Sequence, residues 1–502
     1  MMGLPIPFWA ILLPAVGGLF IVVTGRRPNL REGVTLVTAG LLAALIWSCY
    51  DEVVAADFWT AERPVWEVPF ALLPGVHLAF AIEPLGLIYA LIAATLWPLN
   101  SLYSIGYMRA NNEAHQTRFY LCFAIALASA MGIAFAANFI TLFVFYEVLT
   151  LSTFPLVAHK GTPAAVRSAR TYLGILVGTS ICLLLPAMIA IYSIVGHLDF
   201  QPGGILGDSA ASPMVIGVLF LLCIYGIGKC ALMPMHRWLP AAMVAPTPVS
   251  ALLHAVAVVK AGVFAVLKVT VYVFGIDTLA DIGYADWLVY LAGFTIVCAS
   301  FIALFQDNLK RRLAYSTISQ LSYIVLGAAM FNLPALIGGG MHIAAHAFGK
   351  ITLFFGAGSI YTAAHKTLVS ELDGIGRRMP WTMGAFTIGS LSMIGLPLTA
   401  GMISKWYLLQ GAMTLQSGFV LAVLLCSTLL NACYFLPIIY RAFFRPLSPE
   451  AAAHPHGEAP WPVVVALCAT AVGTVVLFFY PDSFLALMQQ VAAGLPGSQE
   501  GA

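Results

Sequence analysis

Apolar runs of about twenty residues recur along the whole chain, each closed by a short group of Gly, Pro, Asn or charged residues. With soft ends they are 4–24, 32–50, 78–104, 119–137, 138–158, 169–195, 214–235, 248–275, 287–306, 313–331, 333–363, 381–412, 417–443 and 461–480. At about 1.5 Å rise per residue, runs of this length cross a hydrocarbon core about 30 Å thick as helices. The pattern predicts an all-α polytopic membrane protein with about fourteen transmembrane helices. Two runs meet in a very short turn at Ala136–Asn138, and no connection is long enough to hold a separate soluble domain. Two segments carry helix breakers. Pro234, Pro240, Pro246 and Pro248 interrupt the chain around the seventh, and Gly395, Pro397 and Gly401 interrupt the twelfth.

Composition agrees with a membrane chain: 61% hydrophobic residues, 9% charged residues and a mean hydropathy of +0.93. A soluble domain carries about 25% charged residues. A net charge of +2 leaves no footprint for nucleic acid and no acidic tail. The nine cysteines all fall in apolar runs without CxxC or metal-ligand spacing, so they read as small buried hydrophobes. The first run continues as a full span to Gly25 without a small-residue cleavage site, which argues against a removable leader.

Basic residues fix the predicted orientation. Fourteen spans with both termini outside put 17 Lys and Arg residues in the cytoplasmic loops, among them Arg26, Arg118, Lys160, Arg237, Lys310, Arg312, Arg378 and Arg441. Only Arg63 falls on the other side, in a loop that also holds Asp51, Glu52, Asp57, Glu62 and Glu67. That asymmetry is the positive-inside rule, and one helix more or fewer would scramble it. The expected location is the cell's inner (plasma) membrane.

Removing those 18 from the 23 basic residues leaves Lys229, Lys260, Lys268, Lys350 and Lys405 inside the spans. Lys268 sits in the outer part of its helix, from which it can snorkel to the interface. The other four are deep, as is Glu147 in "FVFYEVLTLSTFPLV". At about 3 kcal/mol each, four buried lysines cost on the order of 12 kcal/mol to insert, which points to function. In "MHIAAHAFGKITLFFGAG", His342, His346 and Lys350 are four residues apart and stack along one helix face. His254 and Lys260, six apart, need not share a face. Unwound backbone in a membrane belongs beside a cavity or within protein, and interrupted helices next to ionisable groups mark ion pathways. The lysines therefore read as proton stations, and the breaks as the places where water reaches them. No carboxylate or third ligand accompanies His342 and His346, so no metal is expected. No HExxH, nucleophile elbow, P-loop, haem motif or cluster-binding cysteine set is visible, so neither catalysis nor a cofactor is expected in this chain.

At these residues the chain resembles the antiporter-like subunits shared by respiratory complex I, membrane-bound hydrogenases and Mrp-type multisubunit cation/proton antiporters. The resemblance is carried by the Glu147 segment, "GIGKCALMPMHRWLPAAMVAPTPVSALLHA", "KRRLAYSTISQLSY", "HIAAHAFGKITLFFGAGSI" and "GLPLTAGMISKW". It implies two inverted five-helix repeats, 118–275 and 286–443, with segments 1–117 before them, 444–502 after them, and broken helices 7 and 12. It also implies that Glu147 pairs with Lys229 and that His254 and Lys260 pass protons inward. His342, His346 and Lys350 would continue the axis, and Lys405 would exchange with the far side. Glu83 stands where the family usually has aspartate, with a structural role equally in view. Length and the lysine at 405 look most like the D-type Mrp subunit, which implies proton translocation in exchange for sodium. A proton-pumping subunit of a complex I-like oxidoreductase or a hydrogenase is the alternative, with any redox chemistry left to partner subunits. Expected partners are other antiporter-like and small membrane subunits, the lipid bilayer, protons and candidate sodium ions, and no nucleic acid.

Overall fold

The computed structural model describes residues 5–55, 64–73, 76–207, 209–447 and 457–495. Asp57, Glu62 and Arg63, which enter the predicted charge asymmetry, lie outside the described residues, as do 448–456 and 496–502 of the last predicted segment. Every predicted apolar run contains helix. Among the described residues, eleven helices are long and apolar enough to cross a membrane, from Ile6–Val23 to Trp461–Phe479. The remaining predicted segments are present in other forms. The seventh and twelfth are broken, as Pro213–Gly226 with the turns after it and as Pro380–Ile394 followed by Ala400–Thr414. The tenth, Leu309–Ala329, is continuous but rich in Ser, Thr and Gln.

Two departures have local causes. The third segment begins at Pro84, not at residue 78, because Val76–Phe80 is a strand (β2) paired antiparallel with Trp66–Leu73 (β1). Among the described residues the fold is therefore helical apart from one hairpin. Val, Phe and Leu suit a pleated strand as well as a helix, and Pro84 supplies a helix first turn with its φ preset. The hairpin is tied to the neighbouring turns: Ala81 N–H donates to Phe135 O at 2.9 Å, and Ala137 N–H donates to Ala79 O at 2.9 Å. The short turn at 136–138 is real, and Asn138 closes it. Its side chain accepts from Thr141 N–H at 2.9 Å as the N-cap of Phe139–Val157 and donates to His77 O at 2.9 Å.

Burial divides the helices. Ile6–Val23 and Trp461–Phe479 turn large apolar side chains outward, such as Phe20, Val23 and Val472. Thr247–Phe274 and Leu333–Ala364 are enclosed over their whole apolar windows. These two carry His254, Lys260, His342, His346 and Lys350. A twelve-residue helix, Asp482–Ala493, follows the last span and packs on the central one, where a Cβ on Gly340 would lie 2.2 Å from Met488 Sδ.

Candidate functional site

Lys229 lies at the first break. The Pro213–Gly226 helix stops where Gly226 meets a π turn, Ser180–Leu184; a Cβ there would fall 2.5 Å from Leu184 N. The chain then makes a 3-10 turn over Gly228–Cys230 and passes Ala231 at φ 57. Gly262 of the next helix lies under this turn, with room for nothing larger: a Cβ would be 2.4 Å from Lys229 C. The fully buried Lys229 ammonium donates to Tyr146 O at 2.9 Å and to Thr150 Oγ1 at 2.6 Å, and it stands 3.0 Å from the Tyr146 ring centroid. The Tyr146 hydroxyl accepts from Lys229 N–H at 3.1 Å. Glu147 faces the same region and its charge reaches Lys229. No contact ion pair joins the two among the described residues. Lys229 is satisfied by neutral groups, and Glu147 Oε1 is buried without a hydrogen bond.

Beyond that point the other buried titratable groups follow one another through the bundle. Lys260 Nζ meets His346 Nδ1 at 2.5 Å, both groups being fully buried. While Lys260 is an ammonium it only donates, so Nδ1 then accepts and the proton of neutral His346 sits on Nε2. The His346 and His342 rings are 6.1 Å apart. His342 Nε2 lies 3.0 Å from Gln320 Oε1, which can only accept, and Nδ1 lies 2.8 Å from the Ser404 hydroxyl. That fixes the same tautomer for His342. Lys350, one turn beyond His346, donates to Ser316 Oγ at 2.6 Å, and Ser316 shares a 2.8 Å hydrogen bond with Tyr434. His254 is buried in a π turn, Leu252–Val256, with neither ring nitrogen hydrogen-bonded and its ring 5.0 Å from that of Phe354.

The file ends at the second break. Pro380–Ile394 stops at Gly395, φ 93, leaving its last carbonyls without helical partners. Lys405 donates to two of them, Met393 O at 2.8 Å and Ile394 O at 2.9 Å. Its ammonium lies 5.0 Å from the Tyr323 ring centroid and lines a cavity of about 230 Å³ with Tyr323, Gly395 and Thr428. Ser404, its neighbour in sequence, touches His342, so the station and the axis adjoin.

Lys268 does not snorkel. It is fully buried, 2.6 Å from Glu83 Oε1 and 2.5 Å from Ala136 O, with the Phe200 ring 4.6 Å from its ammonium. Glu83 is thus one half of a buried ion pair. Sequence reading passed over Gln320, Ser316, Ser404 and Tyr434, which join the predicted stations to one another. The polarity of "KRRLAYSTISQLSY" signals Ser316 and Gln320; Ser404 and Tyr434 lie outside that segment. It also counted Lys310 as a loop residue, whereas the side chain is partly enclosed and donates to Ala245 O at 2.6 Å. Among the described residues no group of three or more His, Cys, Asp and Glu side chains could hold a metal ion.

A bundle of membrane helices with two broken segments and titratable side chains strung through its interior defines a polytopic ion-translocation module. Residues 136–431, more than half of the chain, match the model of the NADH:quinone oxidoreductase/Mrp antiporter transmembrane family, and the chain belongs to that family. It is 30% identical to NADH-quinone oxidoreductase subunit N of Desulforudis audaxviator, over 97% of this chain and 98% of the relative. It is 29% identical to subunit L of the Mycobacterium tuberculosis enzyme, over 91% of this chain and 72% of that one. It spans 57% of the chloroplastic NAD(P)H-quinone oxidoreductase subunit 5 of Ipomoea purpurea, at 29% identity over 80% of this chain. The same fold occurs in a chain of an archaeal membrane-bound sulfane sulfur reductase (TM-score 0.84, 23% identity, 98% of each chain). It occurs also in the Mrp complex of Dietzia (TM-score 0.85, 19% identity, 98% of this chain and 97% of that one). The chain is an antiporter-like membrane subunit of the kind found in multisubunit complexes.

Proposed function

We propose that this subunit carries protons across the membrane along the file Lys260–His346–His342–Lys405, as one translocating member of a complex I-like assembly. The observation that carries this is the succession of Lys260 bonded to His346, the His346 ring 6.1 Å from that of His342, and His342 bonded to Ser404 and Gln320, with Lys405 next in the chain. Lysine, histidine and serine can each give and take a proton. This file includes no carboxylate, so its groups offer a dehydrated sodium ion far fewer hard oxygens than its coordination needs. Protons therefore suit it better than sodium. The full-length match to a subunit N favours the oxidoreductase reading. Sodium exchange in a D-type Mrp subunit stays as the second reading, on the lysine at position 405. Fourteen spans with both termini outside, and repeats at 118–275 and 286–443, belong to the same proposal. In its support, the broken segment is the fourth of five in each repeat.

The test is proton uptake by the reconstituted complex, followed with a pH-sensitive dye. Lys260→Met is expected to lower uptake at least tenfold while the complex assembles. Uptake by an assembled Lys260→Met complex at the unmodified rate would remove the axial file from the mechanism.

A further inference from the structure

A cavity of about 170 Å³ opens on the basic face, lined by Lys310, Thr247, Tyr107, Ala357, Tyr361 and Lys366, with Lys160 at its rim. That is room for several waters. Two helices lead inward from it. Thr247 begins the helix on which His254 lies seven residues deeper, about two turns. On the facing helix, Ala357 lines the cavity, Phe354 is about one turn further in against the His254 ring, and Lys350 is one turn beyond Phe354. The charges that reach His254 are those of Lys310 and Lys350, one toward each end of this passage. His254 is fully buried, has no hydrogen-bond partner on either ring nitrogen, and was left without a role in the axial file.

We propose that this cavity is the mouth through which the axial file exchanges protons with the basic face, and that Lys310 hands each proton to His254. The proposal rests on the axial file. A proton leaves the Lys310 ammonium as an imidazole nitrogen of His254 gains it through the intervening water, and Lys310 is reprotonated from the bulk. His254 then faces Lys350 across the Phe354 ring. Lys160, Lys366, Tyr107 and Tyr361 are the other titratable groups around the mouth, and Glu113 supplies the negative charge felt by Lys160 and Lys310.

In sealed vesicles carrying the whole complex, Ala357→Cys should be modified by a membrane-impermeant thiol reagent added to the basic side. It should not be modified from the other side, and modification should block proton uptake. The unmodified complex, with its native cysteines, gives the background. Lys310→Met should reduce uptake about tenfold or more. Lys310→Arg should not restore it, because guanidinium does not release its proton. If Lys310→Met fails to assemble, the Ala357→Cys labelling decides alone. Absence of labelling from the basic side, or labelling without loss of uptake, overturns the proposal. So does full uptake by Lys310→Met or Lys310→Arg. Normal uptake by Lys260→Met would sink the axial file itself, whereas an inactive Lys260→Met beside a fully active Lys310→Met would sink only this entrance.

Discussion

The two breaks look alike in sequence and are built differently. At each, a Gly and Pro interruption stands within a few residues of a lysine. At the first, Lys229 sits within the interruption, fully buried, and a neighbouring helix satisfies it through Tyr146 and Thr150. At the second, Lys405 lies past the interruption, satisfies the orphaned carbonyls of its own broken helix, and touches a cavity. A positive charge at a helix C-terminus is favoured by the helix dipole, so the second lysine repairs the break it follows. The first lysine leaves its break to be repaired by packing, with Gly262 against the Lys229 backbone and Gly226 against Leu184. The same pattern thus yields one lysine enclosed by packing and one that borders a cavity.

The widest difference between the two should come from filling the packing of the first break. Gly262→Ala places a methyl against the Lys229 backbone, and overpacking of that kind costs about 1–3 kcal/mol. The expected outcome is a lower melting temperature and loss of most transport. Gly384→Ala, in the second broken segment with nothing within 4 Å of its Cβ, should be silent in both assays. A silent Gly262→Ala would show that the first break is not held by packing.

Exchanging the lysines sharpens the contrast. Both Lys229→Met and Lys405→Met should cut transport at least tenfold. Lys405→Glu should keep a measurable fraction, and only toward lower pH. A carboxylate there opposes the Met393 and Ile394 carbonyls, whereas the protonated acid can donate to one of them. Lys229→Glu should be inactive at every pH, since Glu147 stands nearby. Residual Lys405→Glu activity that rises with pH would mean the carbonyls are not its partners.

The smallest effect concerns the loop between Phe139–Val157 and Pro163–Thr179. His159 lies between spans, its ring nitrogens buried without a hydrogen bond, and 3.9 Å from Glu113. Burial, with the neighbouring Arg118 and His115 charges, pulls its pKa down to about 4. The unfolded chain binds this proton near pH 6.5 and the folded chain only near 4, so the contribution to stability is complete above pH 6.5 and is lost as pH falls toward 4. His159→Asn should flatten the decline of melting temperature over that window by a few degrees. An unchanged slope would show that His159 is not the group responsible.

Much of this was legible in the chain. Apolar runs gave the helices, since a span must be long and continuous, and buried charge marked Lys229, Lys260, Lys350 and Lys405 because lipid penalises nothing else so heavily. What stayed hidden depends on which helix faces which. Nothing local says that Glu83 reaches Lys268 across 185 positions, or that Ala136 and Phe200 close over the end where Lys268 could have met water. Ser316, Gln320 and Ser404 are cheap to bury, so they leave no mark on a hydropathy profile until a histidine or lysine is seen beside them. Lys310 was misplaced because a basic residue at the end of a span looks the same whether it hangs in a loop or plugs a cavity.

The π turn around His254 has a consequence for how the axis tolerates change. Its bond from Ala257 N–H to Leu252 O, 2.9 Å long, takes one residue more per turn than the helix on either side. Such a turn works as a phase shifter. Each residue added to or removed from a regular helix rotates everything beyond it by about 100°, and here the wide turn sets the angle at which Lys260 leaves the helix. Deleting one residue here would be absorbed as the wide turn closes to a regular one, whereas deleting a second would turn Lys260 away from His346 without altering a single functional side chain. The alignment of the stations is therefore stored in a residue count as much as in residue identities, and deletions of more than one residue through 252–257 would disconnect the file more cleanly than most substitutions.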